Sequence, residues 1–182
     1  MKIIKTILAT ALLATTTPTL VYANSLKEQL QQAEQGITAY EQGDYHTAFE
    51  LLKPLAERGD AGTQTFLGTM YYDGQGVQQD YQQAAKWFQK AAEQGYAKAQ
   101  YNLGVMYYKG QGVQQDYQRA VKWYQKAAEQ GSAEAQGMLG VLYGLGQGVQ
   151  KDSAKAKMWF GKACDNGLQI ACDTYRKLYK GQ

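Results

Sequence analysis

The sequence predicts an all-α solenoid of stacked αα-hairpins, about nine helices long and ending in a C-terminal capping helix. Three observations carry this. The stretch Gly104–Gly131, GVMYYKGQGVQQDYQRAVKWYQKAAEQG, recurs 36 residues earlier as Gly68–Gly95 and 36 residues later as Gly140–Gly167. A fixed period of this length makes the repeat the unit of structure. Within each copy, apolar and small residues return at helical spacing, and no alternating strand pattern develops. Such units bury a continuous core only by stacking on their neighbours.

Residues 1–23 stand apart from the repeats. Lys2 and Lys5 form a basic start, Ile7–Ala14 is a short apolar run, and Val21-Tyr22-Ala23 places small residues where a signal peptidase cuts. A secretory leader removed before Asn24 is therefore expected, with export to the periplasm or beyond. The apolar run is shorter than the ~20 residues that span a bilayer, so no stable membrane insertion is expected. Asn24, not a cysteine, follows the cut, which argues against a lipoprotein. Without the leader, 17 basic side chains face 16 acidic ones, a net charge of +1. That balance offers no basic stripe for nucleic acid.

Residues 24–60 form a shorter opening unit. The Gln-rich start, Glu28–Gln35, suits an exposed outer cap. Gly36–Tyr45 aligns with Gly68–Tyr81 once four loop residues are removed, leaving the compact turn Gly43-Asp44-Tyr45. A second helix follows with Ala48, Phe49, Leu51 and Leu52 at inward spacing. Pro54 falls inside it and is expected to kink or split it.

Three full repeats occupy residues 61–96, 97–132 and 133–167. In the central one, Ala99, Leu103, Met106 and Tyr107 share one face of a first helix, A. Gly104 lets the neighbouring helix come close, which outweighs the roughly 1 kcal/mol that a mid-helix glycine costs. Gly110-Gln111-Gly112 breaks helix A, since two glycines permit positive φ and a tight reversal. Asp116 caps a second helix, B, and in the preceding copy Asp80 with Gln83 resembles a capping box. Helix B runs from about Tyr117 to Gln130, with Ala120, Trp123, Tyr124 and Ala127 expected on its buried face. Gly131 closes it. Residues 168–182 begin one more helix of the first type, Leu168 to about Lys180. Its polar outer face, with Asp173, Arg176, Lys177 and Lys180, suits a cap.

The pattern Ala99, Leu103-Gly104, Tyr107, Gly110, Gly112-Val113, Asp116, Ala120, Trp123-Tyr124, Lys126-Ala127-Ala128 and Gly131 resembles the Sel1-like repeat, a relative of the tetratricopeptide repeat. The likeness covers Ala61–Gly167 almost without gaps. Local departures are Gly144-Leu145 in place of Tyr108-Lys109, and Met158 in place of a lysine. The compact turn of residues 24–60 has the form of an ordinary tetratricopeptide repeat. What the family implies is an adaptor that holds a protein or peptide partner and needs no cofactor.

Cys164 and Cys172, the two cysteines of the chain, take the places of Ala128 and Gln136 in the preceding copy. Antiparallel helix ends put such positions within disulfide reach, and export supplies an oxidising compartment. The same eight-residue spacing staples hairpins in the cysteine-rich Sel1-type proteins of Helicobacter, so a disulfide is expected. Closing so small a loop contributes roughly 2.5 kcal/mol in the chain-entropy model. The alternatives are free thiols or half a metal site, and no third or fourth ligand lies nearby in sequence for zinc.

Other candidate chemistry reads as structure. The Gly-x-Gly loops lack the strand before and the Lys-Ser/Thr after that a phosphate loop needs. Trp87, Trp123 and Trp159 recur at one register and read as inter-helix core. His46, the one histidine, reads as an exposed side chain with no nucleophile beside it. The Helicobacter resemblance brings an alternative, β-lactam binding or weak β-lactamase-like activity. No serine here is followed three residues later by lysine, as the serine enzymes of that class require. No catalytic, metal or cofactor residues are therefore assigned.

By analogy with tetratricopeptide repeats, helix A lines the concave side, at fixed offsets from the Leu-Gly glycine. Those offsets select Thr65, Phe66, Thr69, Tyr72 and Asp73; then Tyr101, Asn102, Val105, Tyr108 and Lys109; then Gly137, Met138, Val141, Gly144 and Leu145. These positions change from copy to copy over a constant core register, as a partner-reading surface does. Tyr72, Tyr101, Tyr108 and Met138 are more apolar than solvent requires. A monomer with a protein or peptide in this groove is expected.

Overall fold

The computed structural model describes residues 18–179, which form nine α-helices and no strand. They are α1 (Pro18–Glu41), α2 (Tyr45–Glu57), α3 (Ala61–Asp73), α4 (Tyr81–Glu93), α5 (Ala97–Lys109), α6 (Tyr117–Glu129), α7 (Ala133–Leu145), α8 (Ser153–Asp165) and α9 (Gln169–Tyr179). Odd-numbered helices are of type A and even-numbered of type B. Each packs on the helix before and after it in sequence, as a stack of antiparallel hairpins requires. Residues 1–17 of the expected leader lie outside the described residues, as do residues 180–182. Residues 18–23 belong to α1, which runs unbroken across the expected cut after Ala23.

The turns are built from two repeated devices. At the end of each full-length A helix a glycine adopts the left-handed conformation; Gly110, at φ 71°, donates its N–H to Met106 O at 2.8 Å. The second glycine of the turn has a different task. A Cβ on Gly112 would overlap the backbone of Tyr81 at the start of the preceding B helix, so the turn itself packs between repeats. Each B helix ends in a Schellman motif: Gly131 N–H donates to Ala128 O at 3.0 Å and Ser132 N–H to Ala127 O at 3.1 Å.

Asp44, Asp80, Asp116 and Asp152 cap the B helices through their carboxylates. The reciprocal half of the capping box expected at Asp80 and Gln83 is replaced. The Asp80 N–H donates instead to Tyr71 O at 2.9 Å, and Asp116 and Asp152 repeat this to Tyr107 O and Tyr143 O. The cap residue thereby ties the turn back to its own A helix.

Pro54 does not split α2. It sits in the last turn between buried Leu52 and Leu55, and Arg58 N–H still donates to its carbonyl at 3.2 Å. Core contacts on both sides hold the segment helical where the missing N–H alone would favour a break.

Side-chain packing follows the repeat register. Leu52, Phe88, Tyr124 and Phe160 of the B helices are buried, each over a glycine of the preceding A helix. A Cβ on Gly104 would stand 2.7 Å from the Tyr124 ring. The tryptophans are a correction to the sequence reading: Trp87, Trp123 and Trp159 are only half-buried. Lys90, Lys126 and Lys162 place their ammonium groups 4.2, 4.4 and 4.7 Å from the ring centroids. A lysine three residues on thus stands over each ring, while the three indoles still pack against the core clusters.

Candidate partner-binding groove

Two side-chain ladders fix the spacing of the A helices. Gln64, Gln100 and Gln136 are buried, and their Nε2 groups donate to Ala56 O, Ala92 O and Ala128 O at 3.0, 3.1 and 3.0 Å. Their Oε1 atoms accept from Gln94, Gln130 and Asn166 at 2.8, 2.8 and 2.9 Å, so each amide joins three successive helices. The second ladder is tyrosine to glutamine. Tyr40 and Tyr72 donate their hydroxyls to Oε1 of Gln75 and Gln111 at 2.6 and 2.8 Å.

At the next register position of the first ladder, Cys164 and Cys172 form a disulfide with a Cα–Cα distance of 4.6 Å. A covalent bond stands where Ala128 O and Gln136 Nε2 are hydrogen-bonded one repeat earlier. It ties α8 to α9 with a side chain that needs no further donor. Among the described residues no three His, Cys, Asp or Glu side chains cluster as metal ligands, and no described helix is long and apolar enough to cross a membrane. His46 is exposed.

Besides a cavity of about 210 Å³ between α1 and α3 that contains none of the positions selected from the sequence, the A helices present two cavities that do. The first, about 310 Å³, brings together six of the residues picked from the sequence: Thr69, Tyr72 and Asp73 of α3 with Tyr101, Asn102 and Val105 of α5. Phe88 of α4 and Lys98 complete it. The second, about 340 Å³ and largely apolar, contains Tyr101, Gly137, Met138 and Val141 together with Glu134 and Phe160, and is completed by Leu168, just before α9, and by Ile170, Ala171 and Thr174 of α9. Tyr101 belongs to both.

The other selected positions serve the solenoid or stand outside the cavities. Thr65 is buried and donates its hydroxyl to Ala61 O at 2.8 Å. Phe66 packs edge-on to Tyr40, ring centroids 5.6 Å apart. Tyr108 lies against Tyr117 at 5.4 Å. Lys109 is exposed with its ammonium 3.4 Å from the Tyr72 hydroxyl, Leu145 is 62% exposed, and Gly144 is half-buried. Lys98 and Glu134 lie in the first turn of helix A, before the offsets begin, and the α9 residues escape them because Arg176 stands where the reference glycine would be. The recurrence of Phe88, Tyr124 and Phe160 opposite glycine was the available signal for the cavity floors.

Charge is placed around Tyr101. Lys98 Nζ stands 5.7 Å from its ring centroid. Burial pushes the Tyr101 hydroxyl above its ordinary range, with Glu134 and Tyr72 adding to it. Glu134 is held below the usual carboxylate range, first by its own backbone N–H, then by the Ser132 hydroxyl and Lys98. Beneath Tyr101, Tyr124 is fully buried, its ring 5.8 Å away and its hydroxyl without a hydrogen-bond partner. Burial raises its pKa strongly.

Stacked hairpins with a groove along one helix layer, and no assembled acid–base or metal cluster among the described residues, define an α-solenoid repeat protein. The family model of the Sel1 repeat matches residues 34–60, 62–96, 97–132 and 133–168, and the chain belongs to that family. The opening unit thus counts as a fourth repeat, shorter by its turn. Sel1 repeat proteins are generally scaffolds for protein–protein interaction.

Solved relatives agree. A Sel1 repeat protein from Oxalobacter formigenes is 38% identical over 81% of this chain and 59% of its own, with a TM-score of 0.77. A protective antigen of uropathogenic Escherichia coli strains, displaying an SLR fold, is 38% identical over 88% of this chain and 35% of its own, with a TM-score of 0.80. This chain therefore spans less than two thirds of either relative. Helicobacter pylori cysteine-rich protein B is 25% identical over 72% of this chain and 94% of its own, with a TM-score of 0.58. No curated protein matches the chain.

Proposed function

We propose that the protein is an exported, non-catalytic scaffold that holds a protein or peptide partner along the groove of its A helices. The observation that carries this is the two cavities on one helix layer that gather the selected positions, which vary between repeats while the Gln64, Gln100 and Gln136 ladder recurs in each full repeat. Variable apolar and aromatic side chains over a rigid frame favour binding, because little ordering entropy is lost. Export is supported by the leader-like residues 1–23 and by a disulfide, which persists in oxidising compartments. The description of one relative as a protective antigen fits the same placement.

The test is capture of partners from periplasmic extract by the native protein and by the variant Asn102→Arg/Val141→Arg. Both substitutions sit on half-buried groove positions and leave the two ladders intact. The variant is expected to unfold at the native temperature and to lose the partner. Partners retained at full yield would remove the groove from the reading. N-terminal sequencing of the exported protein is expected to begin at Asn24. The purified protein is expected to leave a chromogenic β-lactam unhydrolysed.

A further inference from the structure

The turn between α8 and α9 closes on Asn166-Gly167, where the two preceding repeats have Gln94-Gly95 and Gln130-Gly131. The three turns share one backbone and one set of hydrogen bonds. Their glycines sit at φ 91°, 90° and 91°, and donate to the carbonyls of Ala92, Ala128 and Cys164 at 3.0, 3.0 and 2.9 Å. Each side-chain amide donates to the buried glutamine of the A helix before it, Asn166 to Gln136 Oε1 at 2.9 Å. Only the length of the side chain differs. The amide carbon of an asparagine can close with the next backbone nitrogen into a small, unstrained succinimide ring, whereas glutamine needs a larger ring and closes far more slowly. Of the three asparagines in the chain, Asn24, Asn102 and Asn166, only the last precedes a glycine, which puts no side chain before that nitrogen. A Cβ on Gly167 would meet nothing within 4 Å, and Asn166 is exposed, so water reaches the turn.

We propose that Asn166 is a deamidation site whose reaction is gated by opening of the α8–α9 turn. Three features of the closed turn hold the reaction back. Cys164 O engages the Gly167 N–H, Gln136 engages the Asn166 amide, and a ψ of 14° at Asn166 turns the Gly167 nitrogen away from the side chain. The Cys164–Cys172 bond spans this turn and restricts the opening that releases them. In the open turn the Gly167 nitrogen bonds to Asn166 Cγ, the Cγ–Nδ2 bond breaks, and Nδ2 leaves as ammonia with the Gly167 proton. Water then opens the ring at either carbonyl, leaving aspartate or isoaspartate. The product cannot remake the rung. A carboxylate has no hydrogen for Gln136 Oε1, and turning the Gln136 amide round takes its Nε2 from Ala128 O, 3.0 Å away. Isoaspartate also lengthens the main chain before Gly167, which moves Gly167 and Leu168 off their acceptors, Cys164 O and Ala163 O. The loosened α9 carries Ile170, Ala171 and Thr174 of the second cavity, so hydrolysis at the turn reaches the groove.

The experiment is incubation of the full folded protein at neutral and mildly alkaline pH, with peptides mapped by mass and by enzymatic methylation of isoaspartate. Conversion is expected at Asn166 and not at Gln94, Gln130 or Asn102. It is expected to run at least about tenfold faster in Cys164→Ser/Cys172→Ser, because the bond restricts the open state. Gln136→Ala keeps the disulfide and removes the acceptor of the amide, and is expected to accelerate conversion at least about threefold. That variant carries the test if the cysteine variant does not fold. Asn166→Gln is expected to stop conversion and to keep amide hydrogen exchange in α9 at its starting value through the incubation. Asn166→Asp is expected to show in α9 the faster exchange that the aged native protein acquires. No conversion at Asn166 in any of these proteins, or one rate whether the turn is intact or released, overturns the inference. Conversion that leaves α9 exchange unchanged overturns it as well.

Discussion

Tyr124 and Gly104 show how single positions set the tolerance of the stack. The Tyr124 ring rides on the bare backbone of Gly104, and its hydroxyl finds no partner. Phe88 and Phe160 hold the same register without that oxygen. A buried, unpaired polar group costs about 1–3 kcal/mol. Tyr124→Phe is therefore expected to stabilise the protein by about 1 kcal/mol, read as a rise in the denaturant midpoint at unchanged slope. No rise would mean that the hydroxyl is satisfied in solution. Gly112→Ala is expected to do the opposite, by more than about 1 kcal/mol, since it combines a positive φ with overlap on the Tyr81 backbone. Gly95, also at positive φ but with open space around it, should cost only the conformational part. Much of this was legible, because the aromatic opposite glycine recurs in each of the three full-length copies. Gln100 was not, because a glutamine beside Ala99 looks like a surface residue until the Ala92 carbonyl is placed 3.1 Å away.

Helices and turns were readable from caps and glycines, since these devices act within a few residues. What crosses from one element to another was harder to read. The Asp116 N–H reaching Tyr107 O spans a whole turn, and the amide of Gln111 receiving Tyr72 joins residues 39 apart in sequence. Pro54 shows the limit of local rules, because packing of Leu52 and Leu55 keeps α2 continuous. The disulfide belongs to this scale too, as a replacement for the amide rung between a B helix and the next A helix. Cys164→Ser/Cys172→Ser is expected to weaken the docking of α9 by roughly 2.5 kcal/mol. That corresponds to about sixty-fold faster exchange through local opening, by the rule of tenfold per 1.4 kcal/mol. Protection in α5 and α6 should stay near its native value, because neighbouring repeats contribute their stability locally. Equal loss through the whole chain would show that the stack unfolds as one unit.

Across the whole molecule, the last helix differs from the earlier A helices at the positions where another layer would dock. Arg176 of α9 occupies the register of Gly68, Gly104 and Gly140, over which an aromatic of a following B helix packs. Its guanidinium instead donates to Asp173 at 3.0 Å on the surface. Lys157 takes the register of buried Ala85 and Val121, and its ammonium stands over Tyr175 and Tyr179 at 5.9 and 5.7 Å. Leu178 keeps the core register of Leu142 and is 50% exposed. Apolar surface is thus present at this end, and a charged side chain occupies the point of closest helix approach. Such a residue acts against end-to-end stacking, the open mode of association that a repeat array invites. The native protein is expected to sediment as a monomer at every concentration tested. Arg176→Gly frees the contact point and leaves Leu178 beside it, so this variant is expected to associate as its concentration rises. A variant that stays monomeric would show that Arg176 is not what keeps a second copy from docking on α9.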